Sequence, residues 1–159
     1  MYSIVPGCVT QPESQTLIAA LDAWQTLLYP AESNHLADLS EQADDALIFL
    51  LIRHHEGEAV GCGAVLLTGA GFGEVKRVYI DERHRGQKLG ERLLAELERE
   101  ALRRGCHTLR LETGVKQPAA ITLYQRHGFT LTDAFPPYAP DPLSLFMRKP
   151  LSRSAAAVR

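Results

Sequence analysis

The run Arg83-His84-Arg85-Gly86-Gln87-Lys88-Leu89-Gly90-Glu91 sets glycines and basic side chains directly before a strongly periodic apolar stretch. Backbone N–H groups at a helix N-terminus point outward without partners, and the helix dipole adds positive potential. A strand, a glycine loop and a helix start can therefore hold phosphate oxygens together. Gly86 and Gly90 would let the backbone approach a ligand, while Arg83, Arg85 and Lys88 supply charge. A pyrophosphate fits such a joint; an ordinary strand-to-helix turn with solvated basic residues is the plainer alternative. Other glycine patterns do less. No Gly-x-x-x-x-Gly-Lys-Ser/Thr string occurs, and Gly69-x-Gly71-x-Gly73 precedes a strand pattern where a dinucleotide fingerprint needs a helix.

The six histidines form no ligand pattern. His54 and His55 are adjacent, which on a strand sends them to opposite faces. Neither His-x-x-x-His nor Cys-x-x-Cys occurs, so no metal is expected. Cys8, Cys62 and Cys106 are odd in number and read as small buried residues, with Cys62 inert among its small neighbours.

The elements that must position this chemistry fit one domain. With 159 residues, 45% apolar and 23% charged, the chain is long enough for a single sizeable core and too mixed in composition for a disordered or fibrous one. A net charge of −2 supplies no global field for a nucleic acid, so any anion site must be local. The start Met1-Tyr2-Ser3-Ile4-Val5-Pro6-Gly7 lacks a basic region and an apolar core, and no long apolar run follows. A cytoplasmic protein without membrane attachment is expected.

After a short apolar start, Glu13 to Leu28 sets Leu17, Ile18, Leu21, Trp24, Leu27 and Leu28 at helical spacing, with Thr10 and Glu13 placed for a capping box and Pro30 as a stop. A polar loop leads to a short helix near Asp38 to Ala43. Leu47 to Ile52 and Ala59 to Leu67 read as paired strands, and a flexible glycine link follows before a third strand, Glu74 to Ile80. Leu89, Leu93, Leu94, Leu97, Ala101 and Leu102 form the stripe of a helix closed by Gly105. Leu109 to Thr113 alternates as a strand, and Pro118 to His127 reads as a helix closed by Gly128. Phe129 to Leu131 and Leu143 to Met147 are last strands around a proline-rich excursion. The expected fold is α/β, a mixed sheet flanked by helices in the order βααβββαβαββ. One domain spans residues 1–151, with 152–159 a frayed tail.

Four segments carry a resemblance: Glu74 to Ile80, then Arg85-Gly86-Gln87-Lys88-Leu89-Gly90, then Leu111-Glu112-Thr113-Gly114, then Ala120-x-x-Leu123-Tyr124-x-x-x-Gly128-Phe129. In order and spacing they resemble the GNAT superfamily of acetyl-CoA-dependent N-acetyltransferases, over about residues 47–151. Arg85 and Gly90 match the family's Arg/Gln-x-x-Gly-x-Gly/Ala signature, with Lys88 in place of its first glycine. Tyr29 to His35 is similar to a subgroup of small bacterial members.

The resemblance implies a catalytic role for Glu74 as base and for Tyr124 as general acid. An ammonium must lose a proton before it attacks, and the departing thiolate is a better leaving group when protonated. Glu112 is the alternative base, and a solvent-facing carboxylate is the plain alternative for both. Acetyl-CoA is the implied co-substrate. It would be met by Arg85, Gly86, Gln87, Lys88, Leu89, Gly90 and Glu91, by Gln117, and by backbone groups of Val78, Tyr79 and Ile80 that a bulge frees to pair with pantetheine. Tyr29, Ser33, Asn34, His35, Glu112 and Tyr138 would wall the acceptor pocket, which suits a small polar amine or amino acid. A protein N-terminus or lysine as acceptor, and a non-catalytic acetyl-CoA sensor that binds a partner protein, are the other readings. A homodimer is left open.

Overall fold

Leu47 to Ile52 is apolar at every position because both faces of its strand are covered. In the computed structural model, which describes residues 1–30, 38–42 and 44–152, this segment belongs to a central strand. Ile48, Leu50 and Ile52 enter one core with Leu93, Leu94 and Leu97. Phe49 and Leu51 enter another with Leu17 and Leu39. Strand alternation thus feeds two cores from one sheet.

The elements are β1 (Tyr2–Pro6), α1 (Pro12–Leu28), β2 (Leu47–His54), β3 (Ala59–Gly69), β4 (Phe72–Ile80), α2 (Leu89–Arg103), β5 (Thr108–Gly114), α3 (Pro118–Arg126), β6 (Thr130–Thr132) and β7 (Ser144–Pro150). They form a seven-stranded sheet in the order β1-β2-β3-β4-β5-β7-β6. Only β4 and β5 pair in parallel; their neighbours are antiparallel. The expected mixed sheet with flanking helices is therefore present. The expected second helix is not: single 3₁₀ turns at Leu39–Glu41 and Asp44–Ala46 take its place. The side chain of Asp38 caps the first of them by accepting from Ser40 N. Residues 153–159, most of the expected tail, lie outside the described residues.

α2 is the best-specified helix. Leu89, Leu93, Leu94, Leu97 and Ala101 are buried on one face, each large side chain contributing about 1.5 to 3 kcal/mol by leaving water. α1 departs from expectation at both ends. Gln11 is its N-cap and Pro12 begins it, so the Thr10–Glu13 box does not form. Glu13 instead reaches across to Arg53 of β2, Nη1 donating to Oε2 at 3.1 Å. Trp24 (43% exposed) and Leu27 (85%) are not in the core, because the last turns of α1 overhang a cleft lined by Leu21, Gln25 and Tyr29.

The link Gly69 to Gly73 is a tight hairpin, with Gly69 paired to Phe72. Gly73 lies inside β4, where a β-carbon would come within 2.8 Å of Val65. Cys62 and Cys106 are buried as expected, whereas Cys8 is exposed in the turn before α1, its sulfur 3.0 Å from Thr10 Oγ1.

Candidate active site

The parallel pairing of β4 with β5 runs from Phe72 opposite Thr108 to Glu74 opposite Arg110 and then stops. β5 continues beside β7 as far as Gly114, so the two strands part and leave a wedge between them. Glu74 sits at the fork.

A bulge widens the wedge. Opposite β3 the register slips between Ala64–Lys76 and Cys62–Tyr79, and Arg77 adopts φ +55, in the left-handed region. The expected bulge near Val78 to Ile80 is thus centred on Arg77. Arg77 is a poor residue for that conformation and is held there by its surroundings. Its carbonyl accepts from the Cys62 thiol at 3.3 Å, and its Nε lies 3.1 Å from Asp22 Oδ1 of α1.

The wedge gathers Glu74, Val78, Glu112, Gln117, Tyr124 and Tyr29, with Tyr138 closing it from the excursion between β6 and β7. Glu74 is buried, not a solvent-facing edge carboxylate. Its Oε2 accepts from the Tyr138 hydroxyl at 2.5 Å and lies 3.1 Å from Lys76 Nζ, which also donates to Tyr138 at 2.9 Å. Glu112 Oε2 accepts from Ser144 Oγ at 2.7 Å.

Tyr124 packs edge to face on Phe129, ring centroids 5.7 Å apart, and its hydroxyl has no hydrogen-bond partner among the described residues. Burial alone pushes its phenol far above the ordinary range, so it carries a proton at neutral pH. Tyr138 is raised likewise, by burial first and by the Glu74 carboxylate second.

Tyr29 is a tie between elements. Its hydroxyl donates to Gln117 Oε1 at 3.2 Å and accepts from Lys116 N at 3.1 Å, joining the end of α1 to the turn before α3. Gln117 Oε1 also accepts from Gly114 N at 3.3 Å. A β-carbon on Gly114 would come within 1.7 Å of the Tyr29 hydroxyl, so glycine is required there. Burial raises the Tyr29 phenol.

The anion loop lies beyond the other end of β4. Gly86 has φ +84, and Lys88, the N-cap of α2, has φ +59. Lys88 is therefore in a conformation natural to the glycine that the resemblance puts there. The first helical bond is Arg92 N to Lys88 O at 3.2 Å, which leaves the amides of Leu89, Gly90 and Glu91 without intrahelical acceptors.

The side chains of this loop are already engaged. Arg85 donates from Nε to Ile80 O at 2.8 Å and lies over the Tyr79 ring, while Gln87 Nε2 donates to the Tyr2 hydroxyl at 2.9 Å. Leu89 is buried, and Glu91 lies 3.8 Å from Arg126. Gly90 serves packing: its α-carbon faces Leu123 of α3. Ser33, Asn34 and His35 lie outside the described residues.

Burial pushes the Cys62 thiol up to about 12, which keeps it protonated and no nucleophile. The expectation for His54 and His55 is corrected. His55 follows the last residue of β2, where strand alternation no longer applies, and the two rings lie 4.1 Å apart. With Glu56 they place three candidate ligand atoms within 4.8 Å of one another.

Lys76, Arg77 and Ser144 also line the cleft and were not singled out from sequence. Lys76 had a signal, since two residues after Glu74 on a strand is the same face. Ser144 had none, because its closeness to Glu112 depends on the pairing of β5 with β7.

A model of the Acetyltransferase (GNAT) family matches residues 16–129. An IAA acetyltransferase from Azospirillum brasilense is 50% identical over 136 residues, 85% of this chain and 88% of that protein. A crystal structure from Klebsiella pneumoniae, of a protein named as an acyl-CoA N-acyltransferase, is 56% identical with a TM-score of 0.88, covering 96% of this chain and 99% of that one. A GNAT structure from Elizabethkingia anophelis with acetyl-CoA bound shares the fold at 20% identity and a TM-score of 0.69, over 94% of this chain and 98% of that one. No described helix is long and apolar enough to cross a membrane. The chain belongs to the GNAT family of N-acetyltransferases.

Proposed function

We propose that the protein transfers the acetyl group of acetyl-CoA directly to the amine of a small polar molecule or amino acid, with no covalent acyl-enzyme. The observation that carries this reading is the wedge itself: a buried carboxylate at its fork and a buried, protonated phenol on its wall, with a helix N-terminus beyond the far end of β4. The ammonium gives one proton to Glu74, and the freed lone pair forms the C–N bond. The C–S bond breaks with its electron pair on sulfur, and the thiolate takes the Tyr124 proton. The tyrosinate is refilled by the second proton that the acylated nitrogen sheds.

Pantetheine amides would pair with the edge of β4 that β5 leaves, and the pyrophosphate would meet the amides after Lys88. Free thiol release from acetyl-CoA, measured against a panel of small amines, amino acids and peptides with amino-terminal or lysine acceptors, tests the reading. Turnover with a small amine, lost in Glu74→Gln and kept in Glu112→Gln, is the expected result. No binding of coenzyme A at millimolar concentration by calorimetry would overturn it.

A further inference from the structure

Both contacts of the Glu74 carboxylate fall on one oxygen. Oε2 meets the Tyr138 hydroxyl at 2.5 Å and Lys76 Nζ at 3.1 Å, while Oε1 has no partner among the described residues and is not sealed from the cleft. The direction of these bonds follows from donor chemistry. An ammonium has only protons to give, so at 2.9 Å Lys76 donates to the Tyr138 oxygen and the phenol proton is left to point at Glu74.

Tyr138 is itself held. Its ring packs against Phe135 and Phe146 at centroid distances of 5.3 and 5.8 Å, and Phe135 is buried. The Lys76 and Glu74 side chains are each 7% exposed, so water screens their pairing little.

We propose that Lys76 and Tyr138 are positioning residues that clamp Oε2 of Glu74, presenting Oε1 to the acceptor amine as the proton-accepting atom. This rests on Glu74 being the base. Tyr138 then acts through Glu74 and not as a contact for the acceptor, and the excursion between β6 and β7 contributes to the chemistry by delivering it.

The other charged groups around the carboxylate are engaged elsewhere. Arg110, opposite Glu74 on β5, is stacked between Phe72 and Phe135 at 4.1 and 4.6 Å, Glu112 is bonded to Ser144, and Arg77 faces Asp22 of α1. Lys76 is accordingly the cation in contact with Oε2.

The experiment measures kcat and the KM values for acceptor and acetyl-CoA in the full chain and the variants Tyr138→Phe, Lys76→Met, Lys76→Arg and Glu74→Gln, with a melting curve for each. Tyr138→Phe keeps the ring and should still fold. It is expected to lower kcat about tenfold with acetyl-CoA KM unchanged. Lys76→Met should lower kcat further, and Lys76→Arg, which keeps a cation, should restore part of the loss. If Tyr138→Phe and Lys76→Met change the melting temperature while their kcat stays wild-type, and Glu74→Gln is inactive, the clamp is overturned and Glu74 stands as base. If Glu74→Gln retains activity, the base and the clamp fall together.

Discussion

Gly90 in the first turn of α2 lies against Leu123 of α3 so closely that a β-carbon would come within 2.9 Å of the leucine Cδ2. The turn expected to face pyrophosphate is thereby packed against the residue before Tyr124. Gly90→Val should cost about 2 kcal/mol by overpacking, lowering Tm by about 4 to 8 °C. Leu123→Ala removes the methyl groups it would strike, so the double variant should recover part of that loss. Additive losses in a double-mutant cycle would show that the two helices do not meet there.

Lys88 and Gly86 separate backbone strain from steric bulk. At φ +59, Lys88→Gly relieves about 1 kcal/mol of left-handed strain, which offsets the flexibility glycine adds to the unfolded chain. Its Tm should be unchanged or slightly raised, and Lys88→Val should be clearly lower. Gly86 has φ +84 with no atom within 4 Å of a built β-carbon, so Gly86→Ala should weaken coenzyme A binding nearly as much as Gly86→Val. A large gap between those two by calorimetry would mean that side-chain size, and not backbone conformation, matters at that position.

What could be read without a structure follows from the range of each interaction. α2 was legible because its buried leucines repeat at helical spacing, and β2 because six successive apolar residues leave no polar face. The positions of Glu74 and Tyr124 came from the spacing of four segments. Alternation alone could have added Lys76. The left-handed bulge at Arg77 was hidden, since arginine gives no hint of positive φ. The Tyr138–Glu74 bond was hidden too: it spans 64 positions and depends on an excursion whose Phe135 packs against Phe146. Trp24 and Leu27 misled because periodicity does not say where the sheet beneath a helix ends.

Tyr124→Phe distinguishes chemistry from packing. The ring's contact with Phe129 is kept, and the lost hydroxyl has no partner among the described residues, so Tm should stay level or rise. If the hydroxyl protonates the departing thiolate, kcat should fall about 10²-fold with acetyl-CoA affinity nearly unaltered. An unchanged kcat, with chemistry shown to limit the rate, would leave Tyr124 as a packing residue.

Glu98 on α2 joins the elements that carry Tyr124. Its carboxylate meets His127 at the end of α3, and Lys149 Nζ of β7 lies 2.8 Å from Oε1 and 3.0 Å from Oε2. Burial pushes this carboxyl up, but the hydrogen bonds from His127 and Lys149 outweigh it and hold it below the usual range. A carboxyl depressed in the folded state contributes stability that is fully present above its unfolded pKa, about 4.3, and is lost as pH falls through the folded value. Glu98→Gln should therefore cost about 2 kcal/mol at pH 7. The gap between the wild-type and variant urea midpoints should then close progressively as pH drops below about 4. A gap that stays constant down to pH 3 would show that the amide's altered packing, and not the lost charge, accounts for the difference.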